Sequence, residues 1–370
     1  MKQRIYLDNN ATTALDSRVF EAMVQDLKGG PLNPSSVHFF GQTARNLLIS
    51  ARRTIASYLH VDPEEIVFTS GGTEALNHCI QNFANGHIIT TDIEHSAIYK
   101  TIRELKIDAT FIQTGTYGAA TVQQIKAALR PDTKAIILSA VNGETGVKTD
   151  IQQIAQFAEK HSIPFIVDGV ALMGKEPFEI PSGVTAMCFS AHKFHGPKGT
   201  GFLFLRNGFS LSPFQTGGMQ EHQKRAGTEN LSGILGMARA VSLLQEELPA
   251  KTQHMLELRN HFEKSLMDQL KDIQINGEGP RVVNTSNLYF PNVDGESLLL
   301  NLDLAGIAAS HGSACTAGAL EPSRVLLNMS YDRKRARSSV RFSFSRQTTK
   351  EEIDRAIIAI VKIVHQSRNL

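Results

Sequence analysis

The sequence predicts an α/β protein built as a large α/β domain with a mainly parallel sheet, followed by a smaller α+β C-terminal domain. Two observations carry this. Between about residues 16 and 250, short and almost wholly apolar runs alternate with amphipathic stretches of helical period. Strands buried on both faces read this way when helices cover them. Past residue 251 the alternation loses its order, and strand-like and helix-like segments follow one another irregularly. A chain of 370 residues is long enough for two domains. The expected division is an N-terminal segment 1–15, a large domain 16–250 and a small domain 251–370, with the boundary falling between 245 and 260.

In chain order, IVFTS (66–70) reads as a strand and the stretch 73–82 as the helix that follows it. HIITT supplies a strand at 88–91 and KAIILSAV one at 135–141, with a helix at 122–129 between them. A helix at 151–160 precedes PFIVD (165–168), then AMCFS (186–190) and GFLFL (201–205). In the C-terminal part, NTSNLYF (284–290) and SVRFSFS (339–345) read as strands, 295–301 as a helix, and a last helix starts at Lys350.

Composition narrows the function. A formal net charge of +2 gives no reason to expect nucleic acid or an anionic membrane as partner. The start, MKQRIYLDNNATT, has no apolar core of a signal peptide, and no run of about 18 apolar residues suggests a membrane span. Three cysteines cannot build a disulfide framework, which points to a reducing, cytoplasmic setting. No metal site is expected: the cysteines lack C-x-x-C spacing and the histidines form no helical H-x-x-x-H pair.

Five places in the α/β part carry residues that packing alone does not call for. Ser70, Gly71, Gly72, Thr73 and Glu74 follow a strand and open a helix, where free N–H groups favour an anion. Asp168 ends the strand PFIVD, and strand ends are where ligands sit in open α/β sheets. Lys193 lies between His192 and His195 after another strand, where partial desolvation would make it a nucleophile toward carbonyls; Lys198 is its local competitor. His95, in Glu94-His95-Ser96, could stack on a ring and move protons. Gly227 and Thr228 form a turn before a helix. Each alone also fits a cap, a turn or a solvated loop. Together they are the parts of a pyridoxal 5′-phosphate site.

At this point the chain resembles a known family. YLDNNATT (6–13), NPSSVH (33–38), FTSGGTE (68–74), EHSAI (94–98), SAHKFHGPKG (190–199), RAGT (225–228), GSACTAGALEPSRVL (312–326) and SSVRFS (338–343) occur in that order. This set is similar to the NifS/IscS-like cysteine desulfurases, class-V aminotransferases of pyridoxal-phosphate fold type I, over essentially the whole chain. The resemblance implies that Lys193 holds the cofactor and removes the substrate α-proton, Asp168 faces the ring nitrogen and His95 stacks on the ring. It gives the phosphate to Gly72, Thr73, Ser190 and His192, with Thr228 reaching the site of the other subunit of a homodimer. Arg341 and Asn142 would bind the substrate, L-cysteine. Cys315, in a run of small residues, would carry the sulfur as a persulfide; an iron–sulfur cluster held in passing on it is compatible with this. Cys79 and Cys188 read as core residues. The implied partner is an iron–sulfur scaffold or another sulfur acceptor, tRNA thiolation included.

Three positions depart from the family pattern. Gly143 stands where relatives carry a second Asn, Ala171 where they carry a Gln that donates to the cofactor's phenolic oxygen, and His222 where they often carry Arg. Gly143 and Ala171 leave room for a selenocysteine lyase, another class-V enzyme or a catalytically impaired scaffold paralogue. The basic run at 333–337 reads as a solvated helix face or as a docking patch for an acidic acceptor.

Overall fold

The computed structural model describes residues 4–312 and 322–368. Its elements are β1 (Ile5–Tyr6), α1 (Ser17–Leu27), α2 (Phe39–Leu59), β2 (Ile66–Thr69), α3 (Gly72–Asn82), β3 (His87–Thr91), α4 (Ser96–Glu104) and β4 (Ala109–Ile112). Then come α5 (Val122–Ala128), β5 (Thr133–Ser139), α6 (Ile151–Lys160), β6 (Phe165–Asp168), β7 (Ala186–Ser190), β8 (Gly201–Leu205) and α7 (Leu231–Gln269). The chain closes with β9 (Gln274–Ile275), β10 (Thr285–Tyr289), α8 (Gly295–Leu304), β11 (Ile307–Ala308), α9 (Arg324–Asn328), α10 (Arg333–Arg337), β12 (Ser339–Ser343) and α11 (Lys350–Arg368).

The large sheet has the order β2-β8-β7-β6-β5-β3-β4. It is the mainly parallel α/β sheet that the apolar runs announce. Only β8 runs against its neighbours β7 and β2; β3 to β7 pair in parallel. Every residue of β6, β7 and β8 is buried, because helices cover both faces. The chain steps outward from β3 to β4 and returns to β5 on the other side of β3. This switch point opens a crevice at the carboxyl ends of the strands, where His95, Asp168 and Ser190 lie.

The second layer is the antiparallel sheet β12-β10-β9, packed on α8, α11 and the distal half of α7. Its core joins Leu258, Phe262 and Leu266 of α7 to Phe342, Phe344, Ile353 and Ile360. Ile5 and Leu7 enter the same core, since β1 pairs in parallel with β11. The proximal half of α7, from Leu231 to Leu248, packs instead into the core of the large sheet. Helix α7 therefore runs through the region 245–260 unbroken, with Pro249 inside it. Among the described residues, no helix is long and apolar enough to cross a membrane.

One buried ion pair fixes a turn next to the crevice. The Arg52 fork of α2 meets both oxygens of Glu221, at 2.6 and 2.9 Å, and Glu221 also accepts from the Phe68 N–H at 2.8 Å. Glu221, His222 and Gln223 all have positive φ, at 48°, 55° and 65°. Such left-handed residues persist only where their surroundings hold them. Replacing Arg52 by methionine leaves the Glu221 carboxylate buried without its partner, so we expect a loss of about 3–5 kcal/mol in urea unfolding. A loss below about 1 kcal/mol would show that the turn holds itself.

Candidate active site

The Lys193 turn is gripped by the N-terminal segment. The Thr13 N–H and Oγ1 both donate to the His192 carbonyl at 2.9 Å, and Thr13 Oγ1 accepts from the His195 N–H at 2.7 Å. The Asp16 N–H closes the turn on the His195 carbonyl at 3.1 Å. His195 sits in the left-handed region, φ 68°, and its Nδ1 meets the Ala14 carbonyl at 2.8 Å. Lys193 Nζ donates to the Asn10 carbonyl and, at 3.0 Å, to that of Ala11. Burial pushes the pKa of His195 down to about 3 and that of His192 to about 4, helped by the nearby cations Arg346 and Lys193 respectively. Both imidazoles are thus uncharged near neutrality and act by hydrogen bonding.

Across the crevice, Asp168 is buried at the end of β6 and accepts from the Val170 N–H at 2.9 Å. Burial pushes its pKa up, while His95 and Lys193 pull it down. A cationic ring nitrogen is the partner such a carboxylate lacks. His95 caps α4, with Nδ1 accepting from the Ala97 N–H at 3.1 Å, which leaves Nε2 as the nitrogen not used by the cap. Glu94 lies beneath it, accepting from the Ser139 N–H at 2.9 Å, Ser139 Oγ at 2.5 Å and Thr91 Oγ1 at 2.7 Å. Burial pushes Glu94 up to about 7.

The start of α3 forms the third wall. The Gly72 N–H donates to Ser190 Oγ at 3.0 Å, and the first helical N–H bonded within α3 is that of Ala75, to Gly71. A side chain on Gly72 would come within 2.5 Å of Val170 Cγ2, and one on Gly71 within 3.1 Å of Ser190 Oγ. The backbone is therefore bare, with N–H groups and the Thr73 and Ser190 hydroxyls facing a recess that Thr12, His192 and Lys198 also line. This suits a phosphate. It adjoins a pocket of about 250 Å³ lined by Lys193, Asp168 and His95. An anion cradle, an acid, an imidazole and a lysine at these places fit pyridoxal 5′-phosphate.

At the far end of the pocket, Arg341 of β12 is 3% exposed. Its Nη1 donates to the Gly143 carbonyl at 3.0 Å and its Nη2 to Asp8 at 2.7 Å, while its buried Nε has no partner among the described residues. Asn142 lines the pocket, but its side chain is taken up locally: Oδ1 accepts from the Glu144 and Thr145 N–H groups at 3.0 Å, and Nδ2 donates to the Ile93 carbonyl at 3.1 Å.

The aminotransferase class-V family matches residues 5–356. The chain belongs to the class-V aminotransferases. A protein named cysteine desulfurase IscS from Dictyoglomus turgidum is 38% identical, over 100% of this chain and 97% of that one. One named cysteine desulfurase from Klebsiella pneumoniae is 40% identical, over 100% and 95%. A solved NifS-like protein superposes with a TM-score of 0.91 at 33% identity, covering 98% of this chain and 100% of that one. The protein is thus a NifS/IscS-like class-V aminotransferase of fold type I, and its cofactor is pyridoxal 5′-phosphate.

In this class-V aminotransferase the crevice brings together Gly72, Thr73, His95, Asn142, Asp168, Ser190, His192, Lys193 and Arg341. Thr228 lies apart from them, exposed and lining a separate recess with Arg225 and Glu221. Cys315 lies outside the described residues. Gly143 and Ala171 both line the pocket; a side chain on Gly143 would meet nothing within 4 Å, so the missing amide leaves open space. Sequence reasoning missed Asp8, Asn10, Thr13, Glu94 and Lys175. The first three lie in the quoted YLDNNATT motif, which is the signal that could have found them. Lys175, between Gly174 and Glu176, carries none.

Proposed function

We propose that this class-V aminotransferase is a cysteine desulfurase. It converts L-cysteine to L-alanine, takes the sulfur as a persulfide on Cys315, and supplies it for iron–sulfur cluster assembly or tRNA thiolation. The observation that carries this is where the chain enters and leaves residues 313–321. Ser310 bridges to Arg341 by two backbone hydrogen bonds, and Ser323 Oγ donates to Glu144 at 2.5 Å, so both ends sit on the rim of the Lys193 pocket. A lysine and an acid alone would serve many enzymes of the family; a cysteine between those two anchors selects sulfur chemistry.

Pyridoxal 5′-phosphate, when bound, draws electron density from the substrate's α-carbon. The chain's own residues do the rest. The α3 start, Ser190 and His192 would hold the phosphate, Asp168 would favour a positive charge at the ring nitrogen, and His95 would lie against the ring. Arg341 offers its Nε and fork to the substrate carboxylate. Lys193 Nζ moves the α-proton. Cys315, as thiolate, bonds to the substrate sulfur as the carbon–sulfur bond breaks; the carbon gains a proton, so cysteine and thiol become alanine and persulfide. The assay that tests this is sulfide and alanine release from L-cysteine with dithiothreitol. Equal amounts of both support it; their absence from a cofactor-loaded protein moves the lyase and scaffold alternatives ahead.

Thr228, exposed and outside its own phosphate recess, supports a homodimer in which it serves the neighbouring site. The separate cores on the two halves of α7 support a domain division near residue 250. The location is taken as cytoplasmic, on the cysteine count. The acceptor is a protein with an acidic face: in α10, Arg335 is occupied, donating to Asn276 and Gln274 at 2.7 Å, whereas Arg333, Lys334 and Arg337 are exposed. Reversing the charge of Arg333 and Arg337 should weaken acceptor binding and leave dithiothreitol-driven sulfide release unchanged. Unaltered acceptor binding would leave α10 as a solvated face.

A further inference from the structure

Lys175 is a second lysine in the crevice, 2% exposed. Its Nζ donates to the backbone carbonyl of Lys193 at 2.8 Å. The segment around it is packed directly on the Lys193 turn. Gly174 has φ 79°, and a side chain there would come within 2.6 Å of Phe194 Cβ, so its bare backbone lies against the residue after Lys193. From behind, Thr252 Oγ1 of α7 donates to the Lys175 carbonyl at 3.1 Å. The Lys193 turn is therefore held on two sides, by Thr13 and Asp16 on one and by the Lys175 amine on the other.

The groups whose charges reach Lys175 are Lys193 and Arg346. Arg346 is itself balanced by Asp16, at 2.6 Å, and by Glu247. His192 and His195, which feel Lys175 in turn, are uncharged near neutrality. Burial first, then Lys193 and Arg346, pushes the Lys175 amine down to about 7. The Lys193 charge acts against protonation of Lys175, and like charges act on one another reciprocally.

We propose that Lys175 is a positioning residue for Lys193: its amine fixes the turn that aims Lys193 into the pocket, and its positive charge favours the uncharged form of the Lys193 nitrogen. This rests on the reading of Lys193 as the lysine that holds the cofactor and moves the proton. A lysine that must release a proton to act as base gains from a neighbouring cation.

The test uses the cofactor-loaded protein and two variants, Lys175→Met, which removes donor and charge, and Lys175→Gln, which removes the charge and keeps a donor. In both, the midpoint of the pH titration of the visible cofactor absorbance should rise by at least about half a unit, roughly a threefold gain in proton affinity. At neutral pH, Lys175→Met should lower kcat for sulfide release about tenfold with KM little changed, and Lys175→Gln should recover part of that loss. The cofactor-free protein gives an independent readout. The folded pKa of Lys175 is below its ordinary 10.5; the unfolded chain therefore binds the extra proton between pH about 7 and 10, and stability of the unaltered protein rises with pH across that window. Both variants should lose this rise and be more stable at neutral pH. Titration curves that superimpose on the unaltered protein's, with the absorbance present, overturn this inference alone. No visible absorbance in the unaltered protein overturns it together with the reading of Lys193.

Discussion

Replacing Lys193 by alanine is expected to abolish the visible cofactor absorbance and to lower alanine and sulfide release by a factor on the order of 10⁴ or more. The protein should nevertheless fold. The turn around residue 193 is held by backbone bonds from Thr13 and Asp16 and by the Gly72–Ser190 contact, none of which uses the Lys193 side chain. Neither neighbouring lysine can take over. Lys198 is exposed and lines the phosphate recess rather than the ring pocket, and Lys175 is directed at the Lys193 carbonyl. Thermal unfolding of the variant should fall within a few degrees of the unaltered protein. Release of alanine and sulfide within tenfold of the unaltered rate would remove Lys193 from the chemistry and turn attention to Lys175.

Much of the large sheet was legible because its strands are apolar throughout. FIVD, AMCFS and GFLFL coincide with β6, β7 and β8 to the residue. The direction of β8 was not, since an apolar strand reads alike in either direction; only its pairing with β7 and β2 reverses it. Helix α7 hid its length because Pro249 lies inside it, where its two halves pass from one core to the other, and a proline reads in sequence as a helix break. At the site, the strand-end residues stood out by type and place. Asn142 looked like a ligand-facing amide, yet its bonds to Ile93, Glu144 and Thr145 make it the pin of a turn, a fact set by folding rather than by motif. Asp8 and Thr13 act on residues more than 170 positions away in sequence, on Arg341 and on the Lys193 turn. Contacts of that span leave no periodic trace.

Replacing Cys315 by alanine should lower sulfide release to background while the visible cofactor absorbance stays and still responds to L-cysteine. The two effects separate because the phosphate, acid and lysine walls of the pocket come from α3, β6, β7 and the turn after β7, whereas the anchors of the segment 313–321 meet the pocket at its other end, where Glu144, Arg324 and Arg341 line it. On the far side, Arg324 donates to the carbonyls of Asp92 and Glu94 and lies 4.0 Å over the Tyr99 ring. These contacts fix where the segment begins and ends whatever residue stands at 315. No other thiol of the chain can substitute. Cys79 and Cys188 are fully buried between α3 and β7, and burial together with the Cys79 contact pushes the Cys188 thiol well above its ordinary value. A thiol held protonated is neither nucleophile nor sulfur carrier. Mass analysis after reaction with L-cysteine should therefore show one added sulfur atom in the unaltered protein, on the peptide containing residue 315, and none in Cys315→Ala. Sulfide release that survives in Cys315→Ala would mean that sulfur leaves the substrate without a protein carrier, and the lyase alternative would then replace the desulfurase.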